Sequence, residues 1–383
     1  MNPMNQLTKN EKKRVIIQLV VGFSFFLILI ASDFLPKMIR EKKSKEVNIE
    51  IISNQGNYAL PVSSPYKNNY GICYSVEMAD WFVSDSIKYN NQLQNLYTYK
   101  RLQKISKDFR LIRIYQYLIA GFESTGNICP EAYALCFVAK QNPNIEAVIG
   151  TSNNLTWYDS QSNTDKYIRI LKNTFGRAIG QVKTLLIGNE INCVEGVNSS
   201  KIKRIAGYMK NSLKKYNLKI PVTVTFNNLP VQSGDTLSDN LVGAINSNWD
   251  STWNNNNPFV FIDPYPDAPG INNAQGVFNW QNGVTNYYQS IYPNMQIFIG
   301  ETGAEGSNND STTIAIANDI FTQLDSQYVA NNKTVPTFIF EAINEQNKGL
   351  NPNQEHMGIY KDTVSPGCII MTLKNGITLP NFK

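Results

Sequence analysis

A chain of 383 residues is too long for one ordinary small domain and suits a single large α/β barrel or two modest domains. Hydrophobic residues make up 42% and charged residues 17%, which excludes a disordered, charge-rich polymer. The formal charge of +5 is confined to residues 1–46, with nine basic and four acidic side chains, while the rest carries 26 of each. A neutral body argues against nucleic-acid binding, which draws on phosphate neutralisation, and favours a neutral ligand.

Lys12-Lys13-Arg14 stands directly before an apolar run from Val15 to Ala31, interrupted by Gln18, Gly22 and Ser24. A basic stretch followed by an apolar one is the physics of an export signal. The run sits near the lower limit of roughly 17–25 residues for a spanning helix. Asp33, Phe34 and Leu35 follow where a small-x-small cleavage site would stand, which favours an uncleaved anchor over a cleaved signal. Basic residues flank both sides, so charge does not orient the segment. The expected layout is a cytoplasmic stub and signal anchor over residues 1–36, a linker over 37–65 and a globular domain over 66–383. That domain is expected outside the cytoplasm, membrane-anchored, or secreted if the signal is removed.

From Asn69 onward, short β-rich runs alternate with longer helical stretches. Strands are expected to begin near Tyr70, Arg110, Ile145, Val182, Pro221, Phe259, Met295 and Val335, at spacings of 35–40 residues. Each run is apolar and β-branched or aromatic over most of its length, as parallel strands buried on both faces must be. Helices are expected within Ser86–Phe109, Thr164–Phe175, Ser199–Tyr216 and Thr312–Gln327, and a loop at Asn254–Asn257. Eight βα units point to an α/β fold of the (β/α)8 (TIM) barrel type. The tail over 349–383 has little helical periodicity, so the eighth helix is expected to be short or missing. A doubly wound open sheet is the alternative, but it would want a glycine-rich phosphate turn after the first strand, and Gly71-Ile72-Cys73-Tyr74-Ser75 is not one.

The five cysteines, Cys73, Cys129, Cys136, Cys193 and Cys368, show no metal-binding spacing. A Cys129–Cys136 bridge is conceivable, but buried thiols are the favoured reading. The lone histidine, His356, excludes a multi-histidine metal site and argues against a serine–histidine mechanism. No metal and no cofactor are expected.

In such a barrel, chemistry sits where strands end. The fourth strand ends in Leu185-Leu186-Ile187-Gly188-Asn189-Glu190, and the seventh in Ile297-Phe298-Ile299-Gly300-Glu301. A glutamate near a strand end is usually only solvated or salt-bridged. Here both follow an apolar strand and a glycine, at the same edge of the barrel. Two carboxylates across one mouth are what glycosidic cleavage requires: one acid to protonate the leaving oxygen, one nucleophile to trap the sugar. Their environments must push the two pKa values apart.

Six segments in order then resemble glycoside hydrolase family 17, the β-1,3-glucanase barrels. They are Gly71-Ile72-Cys73-Tyr74, Arg113-Ile114-Tyr115, Gly188-Asn189-Glu190, Gly300-Glu301-Thr302-Gly303, Phe340 to Lys348, and Glu355-His356-Met357-Gly358, covering about residues 69–361. The resemblance implies Glu190 as acid/base and Glu301 as nucleophile, with retention of configuration. It implies Asn189 as a ligand of the sugar 2-hydroxyl, and Glu345 and Lys348 as a pair near the catalytic carboxylates. Ala304 stands where many members have tryptophan, Glu305 adds an acid, and Asn344 and Asn347 replace an aspartate and a tryptophan.

Sugar rings stack on aromatic faces. Tyr74, Tyr115 and Tyr265 at strand ends are expected to face the cleft, with Arg113 as a further contact and Trp157 beside Asn153 after the third strand. Trp249, Trp253 and Asn254–Asn257 precede the sixth strand; they add contacts on the acceptor side or lie at the barrel's far end. The leading expectation is a monomeric retaining glycosidase acting on a neutral polysaccharide, β-1,3-glucan. Its rivals are a glucanosyltransferase on the same scaffold and a non-catalytic glucan-binding barrel, which would need neither both glutamates nor Asn189.

Overall fold

The computed structural model describes residues 64–67, 70–75, 91–227, 236–264, 292–303, 310–331, 335–343, 357–365 and 368–380, with isolated positions between 283 and 290. Each expected strand forms: β1 (Tyr70–Tyr74), β2 (Leu111–Ile114), β3 (Glu146–Gly150), β4 (Val182–Leu186), β5 (Val222–Thr223), β6 (Thr225–Asn227), β7 (Phe259–Asp263), β8 (Gln296–Thr302) and β9 (Thr337–Ile339). β5 and β6 are two pieces of one strand interrupted at Val224. The first pairs with β4 and the second with β7, all in parallel. With β1 paired to both β2 and β9, the strands follow one another in chain order around a closed circuit. A doubly wound sheet would reverse strand order and leave two edges. The arrangement fits a (β/α)8 barrel.

Helices return the chain from one strand to the next: α1 (Asn91–Asp108), α2 (Pro130–Gln141), the one-turn α3 (Leu155–Tyr158), α4 (Gln161–Phe175), α5 (Ser199–Lys215), α6 (Thr236–Asn248) and α7 (Asp310–Asn331). Their sequences explain their limits. α5 starts where the Asn198 side chain accepts from Lys201 N–H at 2.9 Å, and it buries Ile202, Ile205, Ala206, Met209 and Leu213 at three- and four-residue spacings against the sheet. α4 buries Tyr167, Ile168, Leu171 and Phe175 in the same way and stops at Gly176, whose φ of 52° suits only glycine well. Each isoleucine or leucine so buried contributes roughly 1.5–3 kcal/mol.

No helix follows β9 among the described residues. An antiparallel hairpin, β10 (Tyr360–Ser365) and β11 (Cys368–Leu373), comes instead. Tyr360 Oη donates to Asp108 Oδ2 at the end of α1 (2.8 Å), and Asn318 of α7 bonds Gly376 O and Thr378 N–H beyond the hairpin. The hairpin and its tail thus reach both α1 and α7, the neighbours an eighth helix would have.

Two apolar layers result. One lies between strands and helices; the other fills the barrel with Cys73, Val148, Leu186, Phe261, Phe298 and Phe338. Tyr66 enters the inner layer from below, its hydroxyl 2.6 Å from Thr184 Oγ1 and its ring edge-on to Phe298 and Phe338. Trp249 packs edge-on against Trp253 and Phe259, and Asn254 Nδ2 donates to Gln296 Oε1 at the start of β8. This segment therefore lies at the barrel's N-terminal end, away from the strand ends that carry Glu190 and Glu301, and adds no contacts there. Cys129 and Cys136 are not bridged; Cys136 Sγ donates to Thr174 O at 2.8 Å. Among the described residues no helix is long and apolar enough to cross a membrane; the segment at 15–31, the linker at 37–63 and the stub lie outside them.

Candidate active site

The turn after β4 is built from both sides. Gly188 N–H donates to Thr151 Oγ1 (2.8 Å) and Asn189 N–H to Asn153 Oδ1 (2.7 Å), so the residues following β3 hold the end of β4. Gly188 has a φ of 67°, and a Cβ there would meet Asn153 Oδ1 and Ile191 Cγ2 at 2.9 Å. Glu190 itself takes the left-handed conformation, φ 46° and ψ 50°. For a glutamate this costs about 1–3 kcal/mol, and such strain collects where a side chain must point somewhere particular. Here it brings Oε1 to 2.8 Å from Asn227 Nδ2 at the end of β6. Asn227 is itself fixed by Asn192, which accepts from its N–H and donates to its carbonyl.

Glu301 comes from β8 and is 5% exposed. Its Oε1 lies 3.3 Å from Arg113 Nη2. Arg113, from β2, is 1% exposed and reaches two other strands and a turn: Nη1 donates to Asp263 Oδ1 of β7 (3.2 Å), and Nη2 to Thr225 Oγ1 of β6 and to Asn189 Oδ1 in the turn after β4. Its guanidinium carbon stands 5.0 Å from the centroid of the Tyr115 ring. Gly300 is required by this cluster, since a Cβ there would collide with Asp263 Oδ1 and Arg113 Nη1.

The electrostatics follow from burial. Desolvation works against the Arg113 charge, but the acidic groups around it outweigh that and hold the guanidinium well above its ordinary pKa. Asp263 is pushed well above the usual carboxylate range by burial first, then by Glu301 and Glu190, with Arg113 pulling the other way. Both glutamates therefore bear on one buried carboxyl. One is half-buried and held by a neutral amide; the other is buried beside a cation. The two glutamates thus sit in different surroundings at the same end of the barrel.

The other anticipated residues distribute unevenly. Asn153 is exposed and supports the Asn189 turn. Tyr115 is partly buried under Arg113, with Phe340 at 6.4 Å. Arg113 lies beneath the carboxyl groups, so it orders them and does not line an open cleft. Tyr74 does not face the cleft: it is fully buried in the strand–helix layer, while its neighbour Cys73 points into the barrel. Alternation along a strand permits only one of the two to do so. Trp157 is half-buried beside Tyr158, packed against the strand–helix layer, with ring centroids 4.9 Å apart. Tyr265, Glu345, Lys348, Ala304, Glu305, Asn344, Asn347 and His356 lie outside the described residues. Sequence reasoning missed Asp263 and Asn227. Each is a polar residue closing an apolar strand, the same signal that singled out the two glutamates.

No protein-family model matches the sequence, and no curated protein matches it. Among solved structures the chain is similar to an active-site mutant of Rhizomucor miehei β-1,3-glucanosyltransferase in complex with laminaritriose, with 16% identity, a TM-score of 0.48 and coverage of 83% of this chain and 98% of that one. It is similar to a β-glucosidase from Exiguobacterium marinum (10% identity, TM-score 0.48, 79% and 94% covered) and to the family 1 β-glucosidase from Thermotoga maritima (12%, 0.46, 82% and 96%). Likeness at this level carries no activity across.

Proposed function

We propose that the protein is a retaining glycosidase of β-1,3-glucan, with Glu301 as nucleophile and Glu190 as acid/base. The observation that carries this reading is the unequal seating of the two glutamates around Asp263 and Arg113. In the first step a Glu301 oxygen bonds to the anomeric carbon as the glycosidic C–O bond breaks. Glu190 gives its proton to the departing oxygen. In the second step Glu190 takes a proton from the acceptor, whose oxygen attacks the same carbon and releases Glu301. Asn189 suits the sugar 2-hydroxyl because its carbonyl oxygen is held by Arg113, leaving the amide nitrogen as the group to offer. Glu345, Lys348, Tyr265 and Trp157 complete the cleft in this reading, and the protein acts as a monomer without metal or cofactor.

The acceptor is water in the leading reading and a second sugar in the alternative. Retention passes through a glycosyl–enzyme in both, so acceptor-side binding decides between them. A time course on a β-1,3-linked pentasaccharide at millimolar concentration separates them. Shorter products, with reducing ends rising at every cleavage, are the expected result; products longer than the substrate, appearing early, mark a transferase. A binding-only barrel leaves the substrate intact.

The basic-then-apolar segment at 12–31 anchors the chain, with the barrel outside the cytoplasm. Fractionation is expected to place the intact chain in the membrane and external protease to reach the barrel. A released chain beginning near residue 32 contradicts the anchor.

A further inference from the structure

Asp263 has no part in the double displacement, yet it sits at the centre of the groups that do. It is fully buried at the end of β7, and Oδ1 accepts from Arg113 Nη1 at 3.2 Å. Oδ2 is buried and has no hydrogen-bond partner among the described residues. An aspartate serving as the counter-ion of a guanidinium commonly engages it with both oxygens. Here the contact is through one oxygen only, and the second guanidinium nitrogen is committed to Asn189 and Glu301.

The charge count points the same way. The titratable and charged groups that face Asp263 among the described residues are Arg113 from β2, Glu301 from β8, Glu190 from the turn after β4 and the Cys73 thiol of β1. Among the described residues, then, one buried cation faces Asp263 together with the two glutamates. Carboxylates crowded together resist ionising together, and an orphaned buried oxygen is far less costly on a neutral acid than on an anion.

We propose that Asp263 is a positioning residue of this site: as the neutral acid it holds one edge of the Arg113 guanidinium and leaves the other edge, with its charge, to Glu301. Burial and the two neighbouring glutamates favour that neutral form. The inference rests on the reading of Glu301 as the nucleophile.

Two measurements test it on the full chain. The first is labelling by a 2-deoxy-2-fluoro-β-laminaribiosyl fluoride, in which a Glu301 oxygen bonds to C1 and fluoride leaves with the electron pair of the broken C–F bond. Asp263→Ala lets the guanidinium shift, and labelling is expected to slow about 100-fold, as for a reacting group displaced by about 1 Å. Asp263→Asn keeps the shape and the acceptor oxygen, and is expected to restore most of the loss.

The second is the urea midpoint of Asp263→Asn against wild type across pH. A carboxyl whose folded pKa lies above its unfolded value binds an extra proton in the folded chain between the two values, so its contribution to stability declines as pH rises through that window. Asparagine has no proton to lose. The variant is therefore expected to match or exceed wild type at neutral pH and to gain on it as pH rises.

An asparagine variant as slow as the alanine one, or one with a lower urea midpoint at neutral pH, shows that Asp263 is the ionised partner of Arg113 and overturns the proposal. So does an alanine variant labelled at the wild-type rate. Wild type that takes no label on Glu301 overturns the nucleophile reading instead, while the urea comparison still reports the protonation of Asp263.

Discussion

Glu301→Ala is expected to abolish turnover of glucan and of activated aryl glucosides alike, because without that carboxylate no glycosyl–enzyme can form. The loss should be on the order of 10⁴- to 10⁶-fold, the range for removal of a nucleophile. Glu190→Ala should behave differently. Glucan cleavage should fall about 10²- to 10⁴-fold, the usual contribution of a general acid, while substrates with good leaving groups keep part of their first step because they need little protonation. Azide discriminates further. With Glu190 gone, azide attacks the glycosyl–enzyme from the face that water would use and yields a β-glycosyl azide. With Glu301 gone, azide takes the nucleophile's place and gives the α-product. Product stereochemistry by proton NMR reads the outcome, and the reverse pattern exchanges the two roles.

Arg113→Met should cause the largest loss of stability of any single replacement at this site. The side chain is 1% exposed and ties β2 to the ends of β7 and β8 and to the turn after β4. Methionine fills much of the volume but removes the charged contact to the buried Glu301 carboxyl. Removing one partner of a buried ion pair costs about 3–5 kcal/mol, a large share of the roughly 5–15 kcal/mol that holds a domain folded. Urea unfolding monitored by tryptophan fluorescence measures it. A midpoint within experimental scatter of wild type would place Arg113 outside the group that holds the strand ends together.

Much of the barrel could be read from the chain because parallel strands covered on both faces must be apolar throughout. Ile297-Phe298-Ile299 and Phe259-Val260-Phe261-Ile262 are unmistakable runs, and they fall within a residue or two of β8 and β7. The helical stretch expected over Ser199–Tyr216 likewise falls within one residue of α5, which buries Ile202, Ile205, Met209 and Leu213 at helical spacing. Glu190 and Glu301 were legible as a pair for a related reason: a charged group directly after an apolar strand and a glycine is a local pattern.

Continuous apolarity is also what hid the rest. When both faces of a strand are apolar, composition does not say which residues point inward, and Tyr74 and Cys73 exchange places on that ground alone. For Trp249 and Asn254 either end of the barrel fits the local pattern; the packing of Trp249 on Phe259 and the bond from Asn254 to Gln296 put them at the N-terminal end. The hairpin of β10 and β11 fills the eighth helical position through contacts with Asp108 and Asn318, neither near it in sequence. Asp263 lies 150 residues from Arg113 and Asn227 37 from Glu190. Local pattern shows that a residue is polar and ends a strand. Closure of the barrel alone determines that Arg113 comes to lie between Asp263 and Glu301, because only the circuit of strands brings those ends to one point.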